Sequence, residues 1–463
     1  MRPDVMRLVD EGPTVVGMIT TAVGSGGSLD TAIRVVAEDG PGHSRTLFSH
    51  AVRMTDTKGA GSISESLVEE VSRLPEDASG YRNAILLCIS ASESADRDER
   101  LGLLREASDV ALDSVRTMGE RYGSSLTVPC MSVFGLGIMV PMILMSIVPM
   151  LGVGGLFGHT SIDSGLIVLT TLVLIPAVIL LISVWIRRGN PFASQSPTCD
   201  GLRYAAPLAL ALPLAVFQLH SGGETEEVIL LSVAPAAVVT ALLMLSDRRA
   251  ERRRRGCEQG LRDCVFELGN RMMSGESFER VCAETVSGRG ECAEVGERLG
   301  REIVVCRGDI ASAVRNAVSP ISQDVSRAFC DILGCSLRDT EDAGRLAMSL
   351  GRQFHNSDNV RRELDSKLRS MVDMMTGTAL LFAPLVLGMS VAMLGPLSEI
   401  AGYQDVGDTV AVLSAYLVEL CGLIAVLTSD LGGRPGLREV VWRFSTMVPV
   451  ALVVFTVCSG LEL

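Results

Sequence analysis

The chain has 463 residues, 48% hydrophobic but only 4% aromatic, and a formal net charge of −13 at pH 7. Its mean hydropathy is positive even though a fifth of its residues are charged, so the apolar residues are gathered into blocks. That pattern excludes an ordinary soluble globule and places the chain among polytopic, all-α membrane proteins.

The N-terminus, MRPDVMRLVDEG, carries charges and no apolar core, so no signal peptide is expected there. Residues 13–23 read as helix and lead into the glycine-rich stretch Val23 to Glu38 (VGSGGSLDTAIRVVAE). Such a stretch suggests a phosphate-binding loop, which needs a lysine and a neighbouring hydroxyl after its glycines. The only lysines are Lys58 and Lys367, and neither has that context. The stretch is better read as a turn between helices. Gly26 and Gly27 end one helix in a left-handed conformation, and Ser28 caps the next. Asp30 then suits the helix dipole, and Leu29, Ala32, Ile33 and Val36 form an apolar stripe.

Seven apolar stretches of about 20 residues, the length that crosses a core of about 30 Å, lie near 128–151, 165–186, 204–219, 228–246, 376–397, 409–427 and 441–461. The segments 152–164, 220–227 and 398–408 contain no Lys or Arg. Arg187, Arg188, Arg203, the run Arg248 to Arg255, Arg434 and Arg438 fall on the other side. The positive-inside rule then puts the N-terminus and both polar regions in the cytoplasm of a multi-pass plasma-membrane protein, with the C-terminus outside. Four organisational segments follow: a helical module at 1–127, four spans at 128–246, a second module at 247–375 and three spans at 376–463.

The first module holds 20 acids and 13 bases, the second 22 of each. The run Arg248 to Arg255 reads as a topology signal and lipid-headgroup contact rather than a nucleic-acid site. The twelve cysteines include no C-x-x-C pair and the five histidines are scattered, so no metal site is expected. No Ser/His/Asp set stands out as a nucleophile, and no cofactor motif is present. Glu419 lies near the middle of the sixth span. It reads as a hydrogen-bonded acid that holds helices together, with Arg443 as a suggested partner, or alternatively as an ion or proton site.

The first turn has an echo at Met272 to Thr285 (MMSGESFERVCAET), which sets Gly275 on Gly26 and Ser277 on Ser28. Gly61 is similarly echoed by Gly308, and after each copy a charged helix runs into an apolar span containing Pro141 or Pro384. Internal repetition of this kind points to two parallel modules. The duplicated arrangement resembles the type II secretion system F-domain family, the inner-membrane platform proteins of type IV pili, Tad-type pili, type II secretion systems and the archaeal flagellum. Seven spans exceed the bacterial secretion pattern and are closer to archaeal platform proteins.

The resemblance implies a non-enzymatic platform that couples a hexameric secretion ATPase to the lifting of pilin-like subunits into a filament. Each module is then expected to be a bundle of about six short helices, pairing within or between chains, so that a homo-oligomer is one outcome. Arg361, Arg362, Lys367 and Arg369, on a charged helix leading to the membrane, are the candidate contacts to the ATPase or to anionic lipid. The alternative function is a secondary transporter or permease using Glu419; against it, the similarity lies in the polar regions and not in the spans.

Overall fold

A computed structural model describes residues 3–24, 26–57, 61–141, 143, 169–189, 225–306, 309–401, 406–432 and 436–460. All regular structure among them is helical. The chain divides into two units, one formed by residues 1–120 with 249–364 and the other by 121–248 with 365–463.

In the first unit, α1 (Pro3–Gly24), α2 (Leu29–Asp39), α3 (Gly42–Asp56), α4 (Ile63–Ser72), α5 (Ser79–Glu93) and the beginning of α6 (Arg97–Phe134) come from the N-terminal part. The expected stripe on α2 is present, with Ala32, Ile33 and Val36 buried. Phe48, Leu67, Tyr81 and Ile85 are also fully enclosed. Each such apolar side chain stabilises the bundle by about 1.5–3 kcal/mol relative to exposure. The N-terminus of α3 follows Pro41, which has no side chain able to cap it. Glu11 from α1 supplies the acceptor instead: its carboxylate takes the backbone N–H of His43 at 3.1 Å and of Ser44 at 2.7 Å. Tyr81 donates to the Ser44 hydroxyl at 3.2 Å, which ties α5 to the same corner.

The rest of the unit comes from the end of α8, after α7 (Ile175–Gly189) and α8 (Thr225–Met273) of the chain order, then α9 (Phe278–Ser287), α10 (Ala293–Val305), α11 (Ile310–Val318), α12 (Gln323–Ser336) and the beginning of α13 (Thr340–Gly377). Its core includes Leu261, Phe278, Val314, Phe329 and Ile332, with the Phe278 and Phe329 rings edge to face at 6.4 Å. Helices α8 and α13 meet through glycines. A Cβ added at Gly269 would lie 2.7 Å from the Met348 nitrogen, and one at Gly344 would lie 2.9 Å from the Met273 nitrogen. Ion pairs Arg97–Asp342 at 2.9 Å and Arg116–Glu363 at 3.0 Å join α6 to α13 inside the unit. The two polar regions therefore pack on each other within one chain.

The second unit collects the apolar ends of α6, α8 and α13 with α7, α14 (Ala383–Ala401), α15 (Val406–Leu431) and α16 (Leu437–Ser459). Six described helices are long and apolar enough to cross a membrane, as expected of an all-α multi-pass protein. They correspond to the first, second, fourth, fifth, sixth and seventh expected spans, whereas 204–219 falls outside the described residues. Leu413, Tyr416, Leu420, Ile424 and Phe455 fill the interior, while Leu181, Trp185, Leu231 and Leu242 point outward. An apolar exterior of this kind is what lipid tails solvate.

Candidate functional site

The two glycine turns have the same backbone. Gly26 has φ 84° and Gly275 φ 87°, the positive-φ glycines among the described residues. In the first, the Gly26 N–H donates to the Val23 carbonyl at 3.1 Å and the Gly27 N–H to the Ala22 carbonyl at 2.9 Å. In the second, Gly275 donates to Met272 at 2.9 Å and Glu276 to Arg271 at 3.4 Å. Both are Schellman closures, in which a left-handed residue lets two carbonyls at the helix end find donors. Gly27 does not share the left-handed conformation expected of it. It serves a different purpose, the tight closure of this turn: a Cβ there would stand 2.7 Å from the Ala22 carbonyl oxygen.

Side chains complete the turns differently. Ser28 accepts from the Thr31 N–H at 3.2 Å, while Ser277, in nearly the same backbone conformation, makes no capping bond. Arg271 instead grips Glu276 with Nη2 at 2.6 Å and Nε at 3.2 Å, and reaches Glu284 at 2.8 Å. Those hydrogen bonds hold both carboxyls below their usual range. Of the second glycine pair, Gly61 precedes the cap Ser62, which accepts from Glu65 N–H at 3.1 Å, and Gly308 lies outside the described residues. Asp309 next to it caps α11 through the Ser312 hydroxyl and N–H, which lower its carboxyl's pKa.

The helices leading away from the bundles also correspond. Helices α6 and α13 each run for 38 residues, and each passes directly into a five-residue π-helical segment, Gly135–Met139 and Thr378–Phe382. Wide π turns free backbone groups from the regular ladder and recur at functional sites. Tyr416 takes one of these groups, donating to the Gly137 carbonyl at 2.5 Å.

Arg361, Arg362, Lys367 and Arg369 are exposed on α13, the first two in one unit and the last two in the other. At about 100° per residue, Arg361, Arg362 and Arg369 fall within about 100° of one another while Lys367 lies on the opposite side, so the four do not form a single stripe. Arg361 also faces Asp10, whose carboxyl is pushed up by burial and pulled down by that guanidinium.

Glu419 is half-buried in α15. The suggested Arg443 partnership is not formed. Arg443 sits one turn after Glu439 on α16 and donates to it at 3.0 Å, and Arg248 binds the other oxygen of the same carboxylate. Asp430, on the same helix, is buried; it accepts from Ser183 at 3.4 Å and lies 4.0 Å from the Arg187 guanidinium.

Among the described residues no cluster of His, Cys, Asp or Glu could hold a metal ion, and every described cysteine is unpaired. Burial pushes the Cys88 thiol up to about 12, well away from nucleophilic use.

One recess in the first unit had no signature in the sequence. An open cleft of about 690 Å³ lies between α1 and the α12–α13 region. Gln353 reaches across its floor, donating to the Pro13 carbonyl at 3.1 Å and lying against Gly17. Arg315, Arg327, Arg338 and Arg361 line it together with the exposed Asp331, whose carboxyl is pushed up by partial desolvation against the opposing pull of Arg327. Those arginines come from four separate segments, so no periodicity could have grouped them. Comparison of the chain with protein-family models, curated proteins and solved structures found no match.

Proposed function

We propose that the chain is the inner-membrane platform of a type IV pilus-like or type II secretion-like machine, coupling a cytoplasmic hexameric ATPase to the lifting of pilin-like subunits. One observation carries the reading: the order of elements in residues 3–139 recurs in residues 225–382. Each part has a long first helix, a Schellman turn on a positive-φ glycine, four shorter helices, and a 38-residue helix that ends in a π segment. A duplicated cytoplasmic module with a stiff helix leading from each copy to an apolar segment suits a part that receives force from a partner and passes it to the membrane. Packing of the two polar regions in one unit favours pairing within one chain.

The direct test is purification of the intact membrane protein with a secretion ATPase from the same cells. Reversing Arg361, Arg362, Lys367 and Arg369 to Glu is expected to reduce ATPase co-purification and filament assembly while the protein stays inserted and monodisperse. Normal recruitment and assembly in that variant would remove α13 from the coupling path. Orientation is tested by single cysteines at Thr225 and Gln404, which should label from outside intact cells, and at Arg434, which should not.

The transporter reading retains one supporting feature, the half-buried Glu419 without an ion pair to another described residue. Glu419→Gln distinguishes the two: the platform reading expects assembly to be preserved.

A further inference from the structure

We infer that the cleft between α1 and the α12–α13 region binds a small organic polyanion of the nucleoside polyphosphate class. The volume, about 690 Å³, falls in the range of roughly 300–1,000 Å³ typical of small-molecule sites. Arg315, Arg327, Arg338 and Arg361 bring four guanidiniums to this one recess. None of the four closes an ion pair within 4 Å with another described residue, although many arginines elsewhere in the unit do, including Arg97, Arg116 and Arg271. Arg262, a fifth, is already held by Asp358 and Glu258.

Guanidinium forks match the paired oxygens of phosphate groups, and several forks around one small volume favour a ligand with more than one such group. Asp39, Asp324 and Asp331 share the lining. These carboxylates repel any anion, so the phosphate groups must lie against the guanidiniums, and they can accept from hydroxyl or amine groups of an organic body. Val35, Leu346, Leu350 and Phe354 provide the apolar wall against which a base can lie. The site holds no lysine followed by a hydroxyl in a glycine loop, so the inference is of binding without hydrolysis, consistent with an effector rather than a fuel. It does not depend on the platform reading.

The test is isothermal titration of the intact detergent-solubilised protein with ADP, inorganic pyrophosphate and adenosine. ADP should bind saturably, pyrophosphate should compete with it, and adenosine alone should bind much more weakly. A triple variant, Arg315→Gln, Arg327→Gln and Arg338→Gln, should weaken ADP binding about tenfold or more. Each of these residues is exposed, so the fold should survive, as size-exclusion chromatography and circular dichroism will show. A second triple variant, Arg45→Gln, Arg105→Gln and Arg298→Gln, removes the same charge from exposed positions that do not line the cleft, and should change affinity less than about twofold. Absence of saturable ADP binding, failure of pyrophosphate to compete, or equal weakening in the two triple variants overturns the proposal.

Discussion

The turns at Gly26 and Gly275 reach the same backbone by different side-chain chemistry. In the first, a second glycine lets the chain close tightly, and the hydrogen bond from Gly27 to the Ala22 carbonyl is 2.9 Å long. In the second, Glu276 stands in that place with a Cβ, and its bond to the Arg271 carbonyl lengthens to 3.4 Å. What the second turn gives up in backbone closure it recovers through the Arg271 clamp on Glu276 and Glu284. The left-handed glycine is the shared requirement. The residues around it are interchangeable solutions to holding the next helix at a fixed angle.

The bundles differ most in how their long helices approach. Gly344 is the fifth residue of α13 and lies against backbone of α8, while the fifth residue of α6 is Leu101. Gly344→Val should therefore produce the largest effect, about 3 kcal/mol of destabilisation, because the obstructing atoms are backbone and cannot rotate away. Leu101→Val, at the corresponding place, should cost less than about 1 kcal/mol. Thermal unfolding in detergent measures both. Equal shifts would show that the glycine contact is not what distinguishes the two bundles.

How much of this was readable follows from how local each feature is. The turn at Gly26, the Ser28 cap and the α2 stripe are set by residues within about two helical turns of one another, and glycine, serine and apolar spacing announce them. The Glu439–Arg443 pair is equally local, at i,i+4, and it takes the guanidinium that the sequence reading offered to Glu419. By contrast, the Glu11 cap on α3, the Gly269 and Gly344 contact and the convergence of the cleft arginines join distant segments. One sequence does not show which of its many glycines and arginines will meet. The π segments had no residue signature at all, since the same apolar residues form either kind of turn.

A smaller effect sharpens the comparison at the turns themselves. Gly26→Ala and Gly275→Ala place a Cβ where nothing lies within 4 Å, so the penalty is conformational alone. Each should cost about 1–2 kcal/mol, the ordinary penalty of the left-handed region for a residue with a Cβ. Unequal losses in unfolding measurements would mean that the turns differ in backbone requirement after all. Gly27→Ala should add a loss confined to the first turn, where the new methyl meets the Ala22 carbonyl at 2.7 Å.

The capping serines separate the turns further. Ser28→Ala removes the acceptor for the Thr31 N–H and should cost about 1 kcal/mol. Ser277→Ala removes no capping bond and should leave the unfolding temperature almost unchanged. A comparable loss at both positions would contradict the assignment of different side-chain solutions.

The smallest effect, and the most specific, belongs to the arginine clamp. Hydrogen bonds from Arg271 lower the carboxyls of Glu276 and Glu284 below their ordinary value of 4.5 in the folded protein. A carboxyl whose folded pKa is depressed stabilises the fold fully above its unfolded value, and that contribution disappears as pH falls through the folded value. Stability should therefore decline on the acid side of about pH 4.5, and Glu276→Gln should flatten part of that decline because its amide cannot titrate. The groups are solvent-exposed, so the contribution is modest and salt should screen it. Unfolding temperatures of the two proteins from about pH 6 to pH 3 should diverge at low ionic strength and converge at high. The first turn offers the internal contrast, because Ala22 and Gly27 occupy the places of Arg271 and Glu276 and have no charge to lose. An acid limb unchanged by Glu276→Gln would leave the left-handed glycine as the sole common support of both turns, with the clamp a surface pairing that contributes nothing measurable.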